Sequence, residues 1–96
     1  MKGVVFLIVM YDIKETKTRT ALSKLLEYYG LQRAQYSVFM GELDRPGFNE
    51  LRDRLKNYGL EQGDKVRIVE LCESCRRKMI VIGEDVPEKQ QHIILG

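Results

Sequence analysis

The sequence near the amino terminus runs Val4-Val5-Phe6-Leu7-Ile8-Val9-Met10-Tyr11-Asp12, eight apolar or aromatic side chains that stop at a carboxylate. A run this short and this apolar is typical of a buried strand rather than a helix. The strand is therefore expected to leave the core at Asp12 and to bring that carboxylate to the surface. There Asp12 either binds a metal ion or handles a proton, or it begins a turn or caps the next helix, as many aspartates after strands do.

Length and charge restrict the class of protein. The chain has 96 residues and a net charge of +2, from 16 Lys plus Arg against 14 Asp plus Glu. This size predicts one domain with a modest core, and such domains often gain stability from metals, disulfides or self-association. The charge is too small to indicate a nucleic-acid partner by itself. No apolar stretch approaches the roughly 20 residues of a membrane span, and no signal-peptide cleavage site is evident, so we expect a cytoplasmic protein without membrane contact.

Apolar residues at helical spacing predict two helices. The first covers Thr18 to Tyr29 and is followed by Gly30, a residue suited to a helix carboxyl end. The second begins near Pro46 and ends before Gly59. The apolar positions of the two helices are Leu22, Leu25, Leu26 and Tyr29, and Phe48, Leu51, Leu55 and Tyr58.

The remaining apolar segments read as strands. Leu31 to Leu43 is extended, as one strand or two, and Val66 to Leu71 forms another, with Lys65 and Arg67 on the parity of Val69. Ile80 to Ile82 is predicted as a short strand, and His92 to Leu95 is strand-like after a polar spacer.

Strands that alternate with two helices predict an α/β sandwich with both helices on one face of a single sheet. The first strand is apolar on both parities, so the other face also needs cover. We expect a second copy of the chain to supply it. The alternative is the tail, residues 84–96, but its polar composition makes it a poor lid.

The cysteines Cys72 and Cys75 form a C-x-x-C motif. A zinc site normally has four ligands, and a redox motif usually opens a helix early in a βαβ unit. Packed or incidental thiols are therefore the favoured interpretation. A site completed by a second protomer is the alternative.

Several short motifs follow one another along the chain. They are Tyr11-Asp12-Ile13, Arg19 early in a helix, Tyr29-Gly30, Arg33-Ala34-Gln35-Tyr36-Ser37-Val38-Phe39 and Gly41-Glu42-Leu43. This pattern resembles the CRISPR-associated endoribonuclease family, the small second member of the universal spacer-acquisition pair. The resemblance covers about the whole chain, and the Y-D-I and Q-Y-S-V-F blocks are its most specific part.

The resemblance implies an α+β fold, a ferredoxin-like βαββαβ sandwich over residues 1–83 with an extra C-terminal strand. It also implies a face-to-face homodimer in which residues 84–96 dock on the partner protomer. Such a fold needs two antiparallel strands between the helices, yet no Asn-Gly or Asp-Gly turn interrupts Leu31 to Leu43. We therefore expect a sharp reversal or a bulge near Tyr36-Ser37.

The resemblance further implies a metal-dependent endonuclease of prokaryotic adaptive immunity that acts in spacer acquisition and cleaves single-stranded RNA or double-stranded DNA. The alternative is a non-catalytic dimeric adaptor that binds DNA and bridges subunits of the CRISPR integrase. Asp12 of each protomer is then the ligand of Mg²⁺ (or Mn²⁺), which accepts few protein oxygens. Tyr11 and Ser37 match positions linked to catalysis, whereas Ala21 stands where some relatives carry a second helix arginine.

Nucleic-acid contacts are expected at two groups of residues. Arg19, Arg33 and Phe39 match family positions proposed for substrate contact, and Arg76-Arg77-Lys78 is the densest basic run, placed in a turn where a dimer would present it twice. Each residue also has a structural alternative: the arginines are solvated, Phe39 lies in the core, and Ser37 supports the strand break.

Overall fold

The computed structural model describes residues 3–83. Its elements are β1 (Val4–Asp12), α1 (Thr16–Tyr28), β2 (Gln32–Gln35), β3 (Val38–Asp44), α2 (Arg45–Lys56), β4 (Lys65–Leu71) and a short α3 (Glu73–Arg77). The strands form one antiparallel sheet in the order β2-β3-β1-β4. This arrangement confirms the ferredoxin-like α+β fold.

Strand β1 lies in the middle of the sheet, between β3 and β4. Its side chains alternate between two environments: Val5, Leu7 and Val9 are at most 2% exposed, whereas Phe6 and Ile8 are only partly buried. Because successive side chains of a strand point to opposite faces, the first set faces the helices and the second faces away. Side chains on both faces of β1 are thus apolar because the strand is central in the sheet, although the helices cover only one of these faces.

Both long helices pack on one face of the sheet. The buried residues that they contribute to the core are Leu22 and Leu26 of α1 and Phe48, Leu51 and Leu55 of α2. Helix α2 begins where the Asp44 carboxylate accepts a 2.7 Å hydrogen bond from the backbone N–H of Gly47, with a proline in the first turn. Both predicted helices are confirmed, and α1 begins two residues earlier than its apolar pattern suggested.

The extended segment divides into β2 and β3 at a tight turn formed by Tyr36 and Ser37, as expected. The register of the pair also shifts between Arg33 and Gln35, which is a bulge. The carbonyl oxygen of Ser37 accepts a 3.1 Å hydrogen bond from the N–H of Tyr11 and so fixes the turn against the end of β1.

The opposite face of the sheet, here called the outer face, is covered by neither α1 nor α2. Register places on it an apolar group that consists of Phe6, Ile8, Met10, Val38, Met40, Val69 and Leu71. Lys65 and Arg67 share this face with Val69, as predicted from their parity.

Two local predictions are wrong. Ile80 to Ile82 is not a strand, because α3 turns the chain after β4 and these side chains are left 81%, 55% and 93% exposed. Arg76 and Arg77 belong to α3 rather than to a turn, and Lys78 is the residue that caps it. The predicted strand at His92 to Leu95 and the docking of residues 84–96 lie outside the described residues.

Candidate functional site

Asp12 is an exposed carboxylate at the end of β1 on the outer face. In the sheet register it lies directly opposite Lys65, and Met10 lies opposite Arg67. These residues and Tyr11 border a surface cleft of about 120 Å³. Two cationic side chains therefore border the same cleft as the carboxylate, and they are suited to bind the phosphodiester of a nucleic acid. Sequence reasoning did not assign Lys65 and Arg67 to the site, although their parity with Val69 was the available signal.

The described residues of one chain do not complete a metal centre. Carboxylate oxygen is the ligand type that Mg²⁺ prefers, so the chemistry of Asp12 fits. However, residues 3–83 contain no group of three or more His, Cys, Asp or Glu side chains placed to hold a metal ion. A divalent ion at Asp12 therefore needs ligands from a second copy or from water.

Tyr11 lies on the other side of β1 from Asp12, facing the helices. Its side chain is 8% exposed and stacks on Phe39 with ring centroids 6.4 Å apart. Burial raises the pKa of Tyr11 above its ordinary value of 10.0, and Arg33, which hydrogen-bonds the hydroxyl, opposes that rise only in part. Tyr11 is thus a neutral phenol near pH 7. This state suits a hydrogen-bond donor and not a general base.

A smaller cleft, of about 80 Å³, opens on the helix side. Its lining consists of Tyr11, Thr16, Arg19, Thr20, Ser23, Arg33 and Tyr36. Tyr11 borders this cleft and the cleft at Asp12. The two arginines therefore border the cleft on the helix side and Asp12 borders the cleft on the outer face, although the family resemblance implies a nucleic-acid role for all three.

Arg19 holds the loop that follows Asp12. Its guanidinium donates hydrogen bonds to the carbonyl oxygens of Ile13 (3.0 Å) and Lys14 (2.8 Å) and to the hydroxyl of Thr16 (2.8 Å). These bonds use the side chain to connect the end of β1 to the first turn of α1. The structure therefore gives Arg19 a positioning role beside Asp12, where sequence reasoning expected a phosphate contact.

Arg33 supports the β2–β3 turn. Its guanidinium lies 4.9 Å from the centroid of the Phe39 ring and donates a hydrogen bond to the carbonyl oxygen of Tyr36. Cation–π contact and the hydrogen bonds hold it over the core while it still borders the smaller cleft.

Two other expected site residues serve the fold. Phe39 is fully buried, so it offers no surface to a nucleotide, and its proposed role in nucleic-acid binding is corrected to a core role. Ser37 is partly buried in the turn, and its backbone carbonyl is engaged by the Tyr11 N–H. The strand-break interpretation of Ser37 agrees with this contact.

The basic run lies at the far end of the sheet from Asp12. Asp12 pairs with the first residue of β4, whereas Arg76, Arg77 and Lys78 come after its last residue. Arg76 forms an ion pair with Glu42, and Arg77 forms one with Glu73 at 3.2 Å. A nucleic acid bound at Asp12 would have to run the length of β4 to reach these cations.

No helix among residues 3–83 is long and apolar enough to cross a membrane.

Comparison with known proteins identifies the family of the chain. Residues 5–79 match the family model described as CRISPR associated protein Cas2. The CRISPR-associated endoribonuclease Cas2 1 of Methanospirillum hungatei is 39% identical over 82 residues, which are 85% of this chain and 86% of the relative. The protein of the same name from Chloroflexus aurantiacus is 40% identical over 92 residues, 94% of this chain and 98% of the relative.

Solved structures give the same result. A crystal structure of Cas2 superposes with a TM-score of 0.68 at 32% identity and covers 85% of this chain and 90% of the other. A hypothetical protein from Thermus thermophilus superposes with a TM-score of 0.71, also at 32% identity, over 88% of this chain and 98% of the other. Sequence and structure together establish that this chain belongs to the CRISPR-associated Cas2 family.

Proposed function

We propose that the chain is an endoribonuclease of CRISPR defence, a metal-dependent phosphodiesterase in which two copies each contribute Asp12. The observation that carries the proposal is the exposed Asp12 carboxylate at the end of β1, which borders the same cleft as Lys65 and Arg67. Relatives that share about 40% of their residues with the chain carry the name endoribonuclease, which supports this activity.

The residues divide the chemical work as follows. Asp12 of each copy would hold Mg²⁺ or Mn²⁺, which would supply an activated water and charge neutralisation at the scissile phosphate. Lys65 and Arg67 bind the phosphodiester, and Arg67 can engage two of its oxygens at once. Arg19 keeps the loop after Asp12 in place, which holds the carboxylate at the strand end. RNA is the substrate that fits the relatives' name, so single-stranded RNA is the first substrate to test and double-stranded DNA is the second.

A homodimer is part of the proposal. The outer face bears an apolar group that neither long helix covers, and its central members are Ile8, Met40 and Val69. Burial of apolar surface favours association by roughly 25 cal/mol per Å² before the entropic costs of association. Because Asp12 lies at the edge of the same face, packing of two such faces would bring a second carboxylate towards the first.

Asp12→Asn tests the enzyme, since it keeps the size of the side chain and removes its charge. We expect cleavage of single-stranded RNA in Mg²⁺ to fall by at least about 100-fold, and Mn²⁺ binding followed by electron paramagnetic resonance to be lost. Asp53→Asn, at an exposed carboxylate of α2, is the matched control and should retain both. Equal cleavage by wild type and Asp12→Asn would refute the catalytic role.

The phosphate contacts need a separate experiment. Lys65→Ala and Arg67→Ala should weaken RNA binding and reduce its dependence on salt, since each cation that pairs with a phosphate releases about one counterion. Lys24→Ala, an exposed lysine of α1, is the control and should leave the slope unchanged. Unchanged salt dependence in both Lys65→Ala and Arg67→Ala would remove these residues from the proposal.

A second function is favoured by the sparse set of acidic ligands in residues 3–83. In this alternative the dimer is a non-catalytic adaptor in spacer acquisition that binds a DNA duplex and bridges subunits of the CRISPR integrase. Asp12→Asn would then leave duplex binding, integrase association and spacer integration at wild-type levels. A loss of integration with Asp12→Asn would instead favour a catalytic contribution.

A further inference from the structure

Cys72 and Cys75 form an accessible dithiol that the proposed function does not use. Both side chains are exposed, which excludes the packed form of the favoured interpretation and leaves incidental thiols as its other form. The Cys75 N–H donates a 3.4 Å hydrogen bond to the Cys72 sulfur, and the Ser74 hydroxyl lies 3.3 Å from that sulfur. The next N–H, of Arg76, donates a 2.9 Å hydrogen bond to the carbonyl oxygen of Cys72. One tight turn therefore fixes the two thiols beside each other.

The two thiols have different acidities. The Ser74 hydroxyl, followed by the Cys75 N–H, lowers the pKa of Cys72 from 9.0 to about 7. Interaction with Cys72 raises the pKa of Cys75 above 9.0. Near pH 7 Cys72 therefore has a much larger thiolate fraction than Cys75. Cys72 is therefore suited to attack a disulfide first, and Cys75 is suited to react afterwards.

The surroundings do not offer a metal alternative within the described part of the chain, because no third ligand of the usual types joins the pair. A surface recess of about 330 Å³ beside Cys72 is bordered by four charged side chains, Glu42, Glu70, Glu73 and Arg76. The three carboxylates are matched by ion pairs to Arg76, Arg45 and Arg77 respectively. A small molecule of either charge can therefore approach the Cys72 sulfur.

We propose that Cys72 and Cys75 are a redox-active dithiol that low-molecular-weight disulfides oxidise to an intramolecular disulfide. The Cys72 thiolate attacks one sulfur of the small disulfide, whose S–S bond breaks and releases one thiolate that takes a proton from water. Cys75 then loses its proton to water and attacks the Cys72 sulfur of the mixed disulfide, which expels the second small thiolate, and that thiolate takes a proton from water. The protein gives up two electrons, and the disulfide is reduced to two thiols.

The experiment treats the reduced full-length chain with oxidised glutathione at pH 7 and analyses it by intact-mass spectrometry. We expect wild type to lose two hydrogens and to resist later alkylation, and Cys75→Ser to accumulate one glutathione adduct. Cys72→Ser should form its adduct several-fold more slowly than Cys75→Ser, because Cys75 is the less acidic thiol, and the greater nucleophilicity of its thiolate offsets only part of its lower ionised fraction.

Because the two thiols are exposed, serine at either position should leave the fold intact, and circular dichroism checks this for each variant. Wild type tests the proposal even if a variant misfolds. Two alkylatable thiols after oxidation, a stable mixed disulfide in wild type, or a disulfide between chains would each overturn the proposal. Equal rates for folded Cys72→Ser and Cys75→Ser would overturn the assignment of Cys72 as the attacking sulfur. None of these outcomes depends on nuclease activity.

Discussion

Arg19→Ala separates a positioning residue from a substrate contact. The wild-type guanidinium donates three hydrogen bonds, to the carbonyl oxygens of Ile13 and Lys14 and to the Thr16 hydroxyl. The bond to Ile13 is partly buried and the other two are exposed. A charge-assisted bond contributes about 1.5 kcal/mol when partly buried and roughly 0.5 kcal/mol when solvent competes for it. Together they stabilise the folded state by about 2 to 3 kcal/mol.

Thermal unfolding followed by circular dichroism measures this loss. For a domain of under 100 residues, 1 kcal/mol corresponds to about 4 to 8 °C in Tm, so Arg19→Ala should melt roughly 10 to 20 °C below wild type. Lys24→Ala removes one positive charge from the exposed surface of the same helix and is the matched control, with a change of at most about 2 °C. Arg19→Lys should recover only part of the loss, because an ammonium group cannot span all three acceptors.

The reasoning fails if Arg19→Ala melts within about 2 °C of wild type while RNA binding or cleavage falls tenfold or more. That pattern would mean that the guanidinium leaves the loop and contacts substrate. A fall in stability, with activity that recovers at low temperature, would instead confirm the positioning role.

Three further predictions concern the fold and its surfaces. Gly41→Ala should destabilise the chain by about 1 to 3 kcal/mol in urea unfolding, because the added Cβ would lie 2.8 Å from Cδ2 and 3.3 Å from Cα of buried Leu31. Gly3→Ala is the control and should be neutral, because a Cβ at Gly3 would have no neighbour within 4 Å. Ile8→Glu should make the chain monomeric in sedimentation while the core stays folded, and an unchanged oligomeric state would contradict the use of the outer face. Because the pKa of Tyr11 is raised in the folded state, the free energy of unfolding should fall as the pH rises above about 10. Tyr11→Phe should lessen this fall in urea titrations, and an equal dependence on pH in wild type and variant would show that Tyr11 does not contribute.

Local patterns were sufficient for most of the fold. The helical spacing of apolar residues predicted both long helices, because each helix buries one stripe of side chains against the sheet. The turn at Tyr36 and Ser37 was expected from the family resemblance, which implies two antiparallel strands in that segment, and not from a local turn signal. Ile80 to Ile82 shows the limit of such patterns: apolar β-branched residues favour a strand, but a strand also needs a neighbouring edge, and α3 redirects the chain before one is reached.

The site depended on contacts between distant segments. Arg19, Arg33 and Phe39 have residue types suited to nucleic acid, yet their partners are loop carbonyls, an aromatic ring and the core. Lys65 and Arg67 belong to no recognisable motif, and they lie at the site only because β4 pairs with β1. Residue type predicts what a side chain can bind, whereas packing determines what it does bind.

Asp12 illustrates both contributions. Its exposure at a strand end follows from the amino-acid order alone, since an apolar run that meets a carboxylate must leave the core there. Its position on the opposite face from Tyr11 follows from the alternation of side chains along one strand, whereas its place beside Lys65 follows from the register between β1 and β4. Register is set by long-range packing, in which one face of β1 is buried under two helices. A short stretch of sequence contains no information about which distant strand will lie next to it.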